Sequence, residues 1–143
     1  MRTRLLRGSR HFSQMLSQSR PGELCLIVSS GFARWLADLR TKGYQTHLIF
    51  LSLPAPELAI KRVAERVEAG GHHVPAETVR RRFRRGLENL FRLYMPIMDS
   101  WRVYDSSPLE GPLLIAAGTE RKVELVAEAE YWKRIVEAYG DGG

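Results

Sequence analysis

Short apolar runs alternate with helical patterns along the chain from residue 24 onward. Residues 24–28 and 47–53 are apolar without regular polar alternation, which is typical of strands covered on both faces. Two shorter runs, residues 102–105 and 113–117, also predict strands. Strands that alternate with helices along a chain favour an α/β fold with a small, mostly parallel sheet.

Glycine and proline mark the predicted helix ends. A first helix covers residues 32–42 and stops at Gly43. Pro56 suits the first turn of a second helix, which ends at Gly70-Gly71. Pro75 opens a third helix, and Pro96 should kink or end it.

The third helix has the strongest periodic pattern in the chain, because its apolar positions recur at helical spacing. The stripe consists of Val79, Phe83, Leu87, Leu90 and Tyr94. A closing helix is predicted from weaker spacing at Val123, Val126, Ala127, Ile135 and Tyr139.

The length of 143 residues suits one domain, and 44% hydrophobic with 27% charged residues is ordinary for a soluble protein. No apolar run is long enough to span a bilayer, so no membrane partner is expected. The lone Cys25 excludes an internal disulfide and a zinc site built on cysteines. A reducing compartment such as the cytoplasm fits this usage.

Residues 1–22 contain five arginines and no Asp or Glu, and they end at Pro21-Gly22. This composition predicts a basic, poorly ordered lead before a domain at residues 23–143. An Arg- and Ser-rich start without acids is also the composition of an organelle transit peptide. An incidental basic tail is the simpler interpretation.

A second basic cluster lies on the third predicted helix, where residues 80–85 include five of the 18 arginines. The planar guanidinium fork of arginine suits phosphate. At about 100° per residue, Arg81 and Arg85 lie opposite the apolar stripe, and Arg82 flanks it. Spacing alone favours a solvated face. The i,i+4 repulsion between Arg81 and Arg85 instead indicates an anionic partner.

Arg62 and Arg66 form another i,i+4 pair, on the second predicted helix. Glutamates at positions 65 and 68 are close enough to neutralise them in a surface ion network. Gly70-Gly71 lies between the two arginine-bearing helices. This dipeptide suits a hinge that closes on a ligand, and it equally suits a plain flexible linkage.

Several of these features belong to one longer string, which runs through Gly43-Tyr44, residues 47–53, Pro56-Glu57-Leu58-Ala59-Ile60, Arg62-Val63, Arg66-Val67, Gly70-Gly71-His72, Val74-Pro75, Arg80-Arg81-Arg82-Phe83, Asn89, Tyr94 and residues 101–107. The string resembles the zeta-toxin-like family of P-loop kinases, at times labelled predicted ABC-type ATPases. The match covers residues 43–107, with a weaker extension back to Ser29.

The resemblance implies part of a three-layer P-loop-kinase fold and Mg²⁺-dependent phosphoryl transfer from ATP to a small hydroxyl-bearing substrate. In well-known zeta toxins that substrate is a UDP-linked amino sugar, and an antitoxin protein restrains the enzyme. The resemblance also implies that residues 56–95 form a lid over the nucleotide. Within this lid, the nucleotide-binding residues would be Arg66, Arg81, Arg82 and Arg85.

The sequence departs from this family at the catalytic positions. None of the four lysines follows a glycine, so the Gly-Lys-Ser/Thr phosphate loop is absent. The family's Glu-Thr-Thr segment would fall at residues 26–28, which contain no carboxylate, and Ser106 stands where the family usually has Asn. We therefore predict a remnant without catalytic residues, as a truncated or frame-shifted gene would produce.

Two other interpretations remain open. A basic module could bind nucleic acid through the helix that carries residues 80–85. An interaction subunit could complete its fold with another chain. We also expect residues 24–28 to pair directly with residues 47–53, and an open apolar edge there to promote self-association.

Overall fold

The computed structural model describes residues 30–140. The predicted basic lead at residues 1–22 lies outside the described residues. The predicted strand at residues 24–28 lies outside them as well, together with its expected pairing to residues 47–53.

Four helices and four strands follow one another in this part of the chain. They are α1 (Ser30–Thr41), β1 (His47–Ser52), α2 (Pro56–Glu68), α3 (Ala76–Asn89), β2 (Ser100–Asp105), β3 (Leu113–Thr119), β4 (Lys122–Val126) and α4 (Ala129–Tyr139). A π-helical turn, Leu90–Tyr94, and a 3-10 turn, Met95–Ile97, connect α3 to β2. None of these helices is long and apolar enough to cross a membrane.

The apolar stripe predicted for the third helix forms the centre of the core. Val79, Phe83 and Leu87 are buried on α3, and Leu90 and Tyr94 continue the stripe with 0% and 1% exposure. Pro75 directly precedes the helix. Pro96 lies in the 3-10 turn, where the helical segment ends because proline cannot donate the next backbone hydrogen bond.

Within residues 30–140 the sheet has the strand order β1-β2-β3-β4, and only β1 and β2 run parallel. The prediction of a mostly parallel sheet is therefore wrong for these four strands. Only residues 106–112 separate β2 from β3, and residues 120–121 separate β3 from β4. A parallel pair needs a crossover of about a dozen residues or more, so these connections produce antiparallel neighbours.

The sequence pattern did not predict β4. Val123 and Val126, assigned above to the closing helix, lie in β4, and Ala127 precedes the helix, which begins at Ala129. Glu120 adopts a positive φ of 49° in the turn that reverses the chain after β3. This reversal pairs residues 122–126 with β3. The prediction of a closing helix is therefore wrong for Val123 and Val126, which lie in a strand, and correct for Ile135 and Tyr139, which lie in α4.

The described helices pack on one face of the sheet. One core cluster joins α3 and α4 to Trp101 and Val103 of β2, and a second packs α1 against the segment between α3 and β2. Leu48 and Phe50 of β1 contact these clusters, whereas Ile49 is 62% exposed. Because neighbouring side chains of a strand point to opposite faces, β1 is covered on one face, and the prediction of two covered faces is wrong within residues 30–140. These residues form two layers, where the resemblance implies three.

Trp101 joins three parts of this core. Its side chain is 1% exposed and stacks on Trp132 of α4, with ring centroids 5.6 Å apart and an interplanar angle of 17°. Its Nε1 donates a hydrogen bond to the carbonyl oxygen of Glu120 at 2.8 Å. A Cβ at Gly118 of β3 would lie 2.5 Å from Cζ2 of Trp101 and would overlap the Lys122 carbonyl oxygen. Position 118 therefore requires glycine.

An ion cluster ties α1 to the amino ends of β1 and β2. Arg40 Nε lies 3.1 Å from Asp99 Oδ1, and the guanidinium also contacts Glu120. Asp99 Oδ2 accepts hydrogen bonds from the backbone N–H of Thr46 at 2.7 Å and from its hydroxyl at 3.1 Å. Burial raises the pKa of Asp99, but the Thr46 bonds and the Arg40 charge outweigh it and lower the pKa. The cluster therefore favours the ionised carboxylate.

We expect Gly118→Ala to reduce the free energy of unfolding by about 2–3 kcal/mol, because the added methyl group cannot fit against Trp101 without a backbone shift. Gly86→Ala is the matched control, since a Cβ there would meet no atom within 4 Å. Alanine inside α3 should raise stability by about 0.5–1 kcal/mol through its helix propensity. Urea unfolding of both variants measures the difference, and equal effects would contradict the contact.

Candidate anion-binding site

The carboxyl ends of the parallel strands β1 and β2 meet at one edge of the sheet, where open α/β sheets usually bind ligands. The backbone N–H and the hydroxyl of Ser106 both donate to the carbonyl oxygen of Ser52, at 2.9 and 3.0 Å. The N–H of Ser107 donates to Oδ1 of Asp105 at 2.8 Å. These hydrogen bonds hold Ser106 and Ser107, which follow β2, in place at this edge.

Tyr131 of α4 lies beneath the same edge. Its hydroxyl forms a buried hydrogen bond with Oγ of Ser52 at 3.2 Å. The guanidinium carbon of Arg134 lies 5.4 Å from the centroid of the Tyr131 ring. Burial is the main cause that raises the pKa of Tyr131 to about 12. Burial therefore favours the protonated phenol.

Arg62 connects α2 to this edge. Its Nη2 donates a hydrogen bond to the carbonyl oxygen of Ser106 at 2.8 Å, and the side chain is half-buried. A guanidinium that donates to a carbonyl in this setting is held more strongly than a neutral donor would be. Arg62 therefore fixes α2 against the end of β2 and is committed to a contact within the chain.

Arg66 lies one turn further along α2 and is also half-buried. Its Nε is 3.5 Å from the carbonyl oxygen of Arg62, at the outer limit for a hydrogen bond. Glu65 lies 4.0 Å from Lys61 instead, and in the described range no carboxylate pairs with Arg66. The predicted neutralisation of Arg66 by its neighbouring glutamates is therefore absent from this part of the chain.

A Schellman cap built on Gly70 and Gly71 ends α2. The N–H of Gly71 donates to the carbonyl oxygen of Arg66 at 2.7 Å, and the N–H of Gly70 donates to that of Val67 at 3.0 Å. Gly70 has a φ of +92°, and a Cβ on Gly71 would lie 2.8 Å from the Arg66 oxygen. The geometry of the helix end therefore explains why both residues are glycine. The interpretation of Gly70-Gly71 as a hinge is not needed to explain them.

The five arginines at residues 80–85 are all exposed. Two of them have acidic neighbours on α3: Arg80 lies 3.9 Å from Glu77, and Arg84 lies 2.8 Å from Glu88. The other three form no ion pair with any residue from 30 to 140, and they are Arg81, Arg82 and Arg85. Spacing alone does not explain this division, because Arg81 also has Glu77 four positions away and Arg85 has Glu88 three positions away. Each glutamate pairs with the neighbouring arginine instead.

Helices α2 and α3 pack against each other across residues 69–75. This packing places all four predicted nucleotide-binding arginines on one helix pair, with Arg66 on α2 and the three unpaired arginines on α3. No hydrogen bond joins Arg66 to the α3 arginines within the described chain. Among the same residues, no group of three or more His, Cys, Asp or Glu side chains is placed to hold a metal ion.

Comparisons with known proteins add no assignment to this geometry. No protein-family profile, no curated protein and no solved structure matches the chain. The resemblance of residues 43–107 to zeta-toxin-like kinases therefore stays a prediction from sequence.

We expect Arg62→Ala to destabilise the position of α2, because the variant loses the hydrogen bond to the Ser106 oxygen. Amide hydrogen exchange in α2 should accelerate roughly tenfold, which corresponds to about 1.4 kcal/mol of local stability. Arg66→Ala is the control on the same helix, and it should accelerate exchange less than about twofold. An effect of Arg66→Ala as large as that of Arg62→Ala would contradict the different roles of the two arginines.

Proposed function

We propose that this chain is a remnant of a zeta-toxin-like, ATP-dependent small-molecule kinase that lacks catalytic activity by itself and binds phosphate through helices α2 and α3. The observation that carries the proposal is the unequal pairing of the α3 arginines. Arg80 and Arg84 form ion pairs with Glu77 and Glu88, whereas three exposed guanidinium groups on the same helix form none with residues 30–140. Cations that repel one another on one helix are stabilised by a bound anion.

The arginines of α2 and α3 have different roles in the proposed site. Arg66, Arg81, Arg82 and Arg85 would contact the phosphates of a nucleotide by charge-assisted hydrogen bonds. Arg62 would keep α2 in position through Ser106. When bound, ATP with Mg²⁺ would supply a transferable γ-phosphoryl group. The chain has no Gly-Lys-Ser/Thr loop to cradle the β- and γ-phosphates, so we expect binding without transfer.

A double variant tests the site. We expect Arg81→Ala/Arg85→Ala to weaken ATP binding about three- to tenfold, because exposed charge pairs contribute modestly. Arg34→Ala/Arg121→Ala is the matched control, since it removes two exposed arginines from outside the helix pair and changes the net charge equally. The control should change affinity less than about twofold. Chemical shifts of backbone amides, followed during an ATP titration at low salt, measure both affinities.

The same titration distinguishes the parts of the proposal. Shifts that map to residues 120–139 and spare α2 and α3 would contradict the site. No Mg²⁺-dependent ATP hydrolysis above a boiled control is expected. Turnover that survives Arg81→Ala/Arg85→Ala would contradict the assignment of a remnant.

Binding of nucleic acid is a second candidate function, favoured by the exposure of all five arginines at residues 80–85 and by the net charge of +6. Phosphate contacts by such a helix would dominate affinity and make it depend on salt. Three unpaired arginines would contact about three phosphates of a duplex.

A salt series tests this second function. For duplex DNA of arbitrary sequence, the slope of log affinity against log salt should be about −2.7, since each phosphate contact contributes about −0.9. Arg81→Ala/Arg85→Ala should reduce the magnitude of the slope by about 1.8, which is the contribution of two phosphate contacts. Arg34→Ala/Arg121→Ala should leave the slope unchanged. Fluorescence anisotropy of a labelled duplex measures the slope. Absence of binding at low salt would rule out the function.

A further inference from the structure

The positive charge of this protein is concentrated on short segments. Residues 76–94, which comprise α3 and the π-helical turn, contain six arginines and two glutamates, a net charge of +4. The acid-free residues 1–22 contribute +5. Since the whole chain carries +6, the remaining residues together have a net charge of −3. A basic helix in an otherwise acidic domain attracts anions to that helix in particular.

Unpaired arginines of this segment form a row that continues past the end of α3. Arg81 and Arg85 are one turn apart, and Arg92 follows in the π-helical turn Leu90–Tyr94. Counting at about 100° per residue places the three within about 40° of one another around the helix. All three are exposed, and within residues 30–140 none of them forms an ion pair. We call Arg81, Arg85 and Arg92 the arginine row.

The two glutamates of the segment border the arginine row without pairing with it. Oε2 of Glu77 lies 3.9 Å from Arg80, and Oε1 of Glu88 accepts a hydrogen bond from Nε of Arg84 at 2.8 Å. On the helical wheel these ion pairs lie on one flank of the row, and Arg82 lies on the other flank. An anion that approaches from the Arg82 side therefore contacts guanidinium groups that hold no carboxylate of residues 30–140.

The arginine row is longer than the phosphate chain of a free nucleotide. At about 1.5 Å per residue, the distance from Arg81 to Arg92 along the helix axis is roughly 16 Å. The three linked phosphates of ATP are much shorter, so one nucleotide contacts only part of the row. In a duplex, the phosphates of one strand recur about every 3.4 Å along the axis, so about five of them cover the same length.

The segment has no exposed aromatic side chain on which a base could stack. Within residues 76–94, Phe83 and Tyr94 are buried, and Phe91 is half-buried against the core. Proteins that bind single strands without sequence preference stack successive bases on aromatic side chains. Contacts of the arginine row are therefore directed to phosphates. A duplex presents these at about one charge per 1.7 Å of axis, twice the density of one of its strands, which favours a duplex as the ligand.

We propose that the arginine row binds the phosphate backbone of duplex nucleic acid, and that Arg92 adds a fourth phosphate contact to those of Arg81, Arg82 and Arg85. This inference rests on the second candidate function and extends it by naming the form of nucleic acid and a further binding residue. Since the row contacts phosphates and not bases, binding does not depend on sequence.

Substitutions of Arg92 test the proposal in the full chain. Fluorescence anisotropy of a labelled 16-bp DNA duplex over a salt series gives the slope of log affinity against log salt. Arg92→Ala should reduce the magnitude of this slope by about 0.9, the contribution of one phosphate contact. Arg92→Lys should retain the slope, because an ammonium group also binds phosphate. The readout is the difference from the wild-type chain, so the contribution of charges elsewhere cancels.

Arg121→Ala is the matched control, because it removes one exposed arginine from outside the segment. It should leave the slope unchanged. Arg92→Ala should change the affinity for ATP less than about twofold, since ATP contacts only part of the row.

The outcomes separate this inference from the function on which it rests. A slope that Arg92→Ala leaves unchanged, while Arg81→Ala/Arg85→Ala reduces it, would overturn the inference and leave the second candidate function in place. Absence of duplex binding at low salt would overturn both.

Two competing ligands test the form of the partner. A 16-nucleotide single strand and a polyglutamate peptide are titrated as competitors of the labelled duplex. We expect both to bind at least threefold more weakly than the duplex, because the duplex has the higher density of phosphate charge. Tighter binding of the single strand would overturn the proposal of a duplex. Tighter binding of polyglutamate would overturn it in favour of an acidic protein.

Discussion

The close approach of the Trp101 ring to the backbone of β3 at Gly118 determines how the parts of this fold meet. The ring lies close to the backbone of β3 and also stacks on Trp132 of α4. Its indole N–H holds the turn at Glu120, from which β4 begins. Helix α4 also contains Tyr131, whose hydroxyl forms a hydrogen bond with Ser52 Oγ at the carboxyl edge of the sheet. One aromatic side chain therefore contacts β3, the turn before β4 and α4 together.

Some arginines of α2 and α3 make contacts within the chain, and others are exposed without an ion pair in the described residues. Arg62 uses its guanidinium on Ser106 and so attaches α2 to the parallel strands. Arg80 and Arg84 are neutralised locally by glutamates on α3. The remaining arginines on α3 face solvent and form no ion pair with the described chain. A surface with this division is suited to a ligand that arrives from solution and is poorly suited to internal stabilisation.

The features that the sequence predicted well depend on local spacing. The α3 stripe was predictable because Val79, Phe83 and Leu87 recur at helical intervals. The unpaired state of Arg81 and Arg85 was not predictable from spacing, because each has a glutamate three or four positions away that pairs with another arginine. The contact between Arg62 and Ser106 spans 44 positions, so spacing could not show it. β4 was missed because its valines fit a helix as well as a strand, and because Glu120 makes the reversing turn without the usual glycine. The mixed sheet could have been predicted, because the connections after β2 are too short for a crossover between parallel strands.

The Schellman cap at Gly70 and Gly71 ends α2 without using any side chain. The backbone N–H groups of the two glycines donate to the carbonyl oxygens of Arg66 and Val67. A side chain at Gly70 would be strained by the φ of +92°, and one at Gly71 would meet the Arg66 oxygen. The last turn of α2, which carries Arg66, therefore depends on two residues whose contribution is the absence of a Cβ.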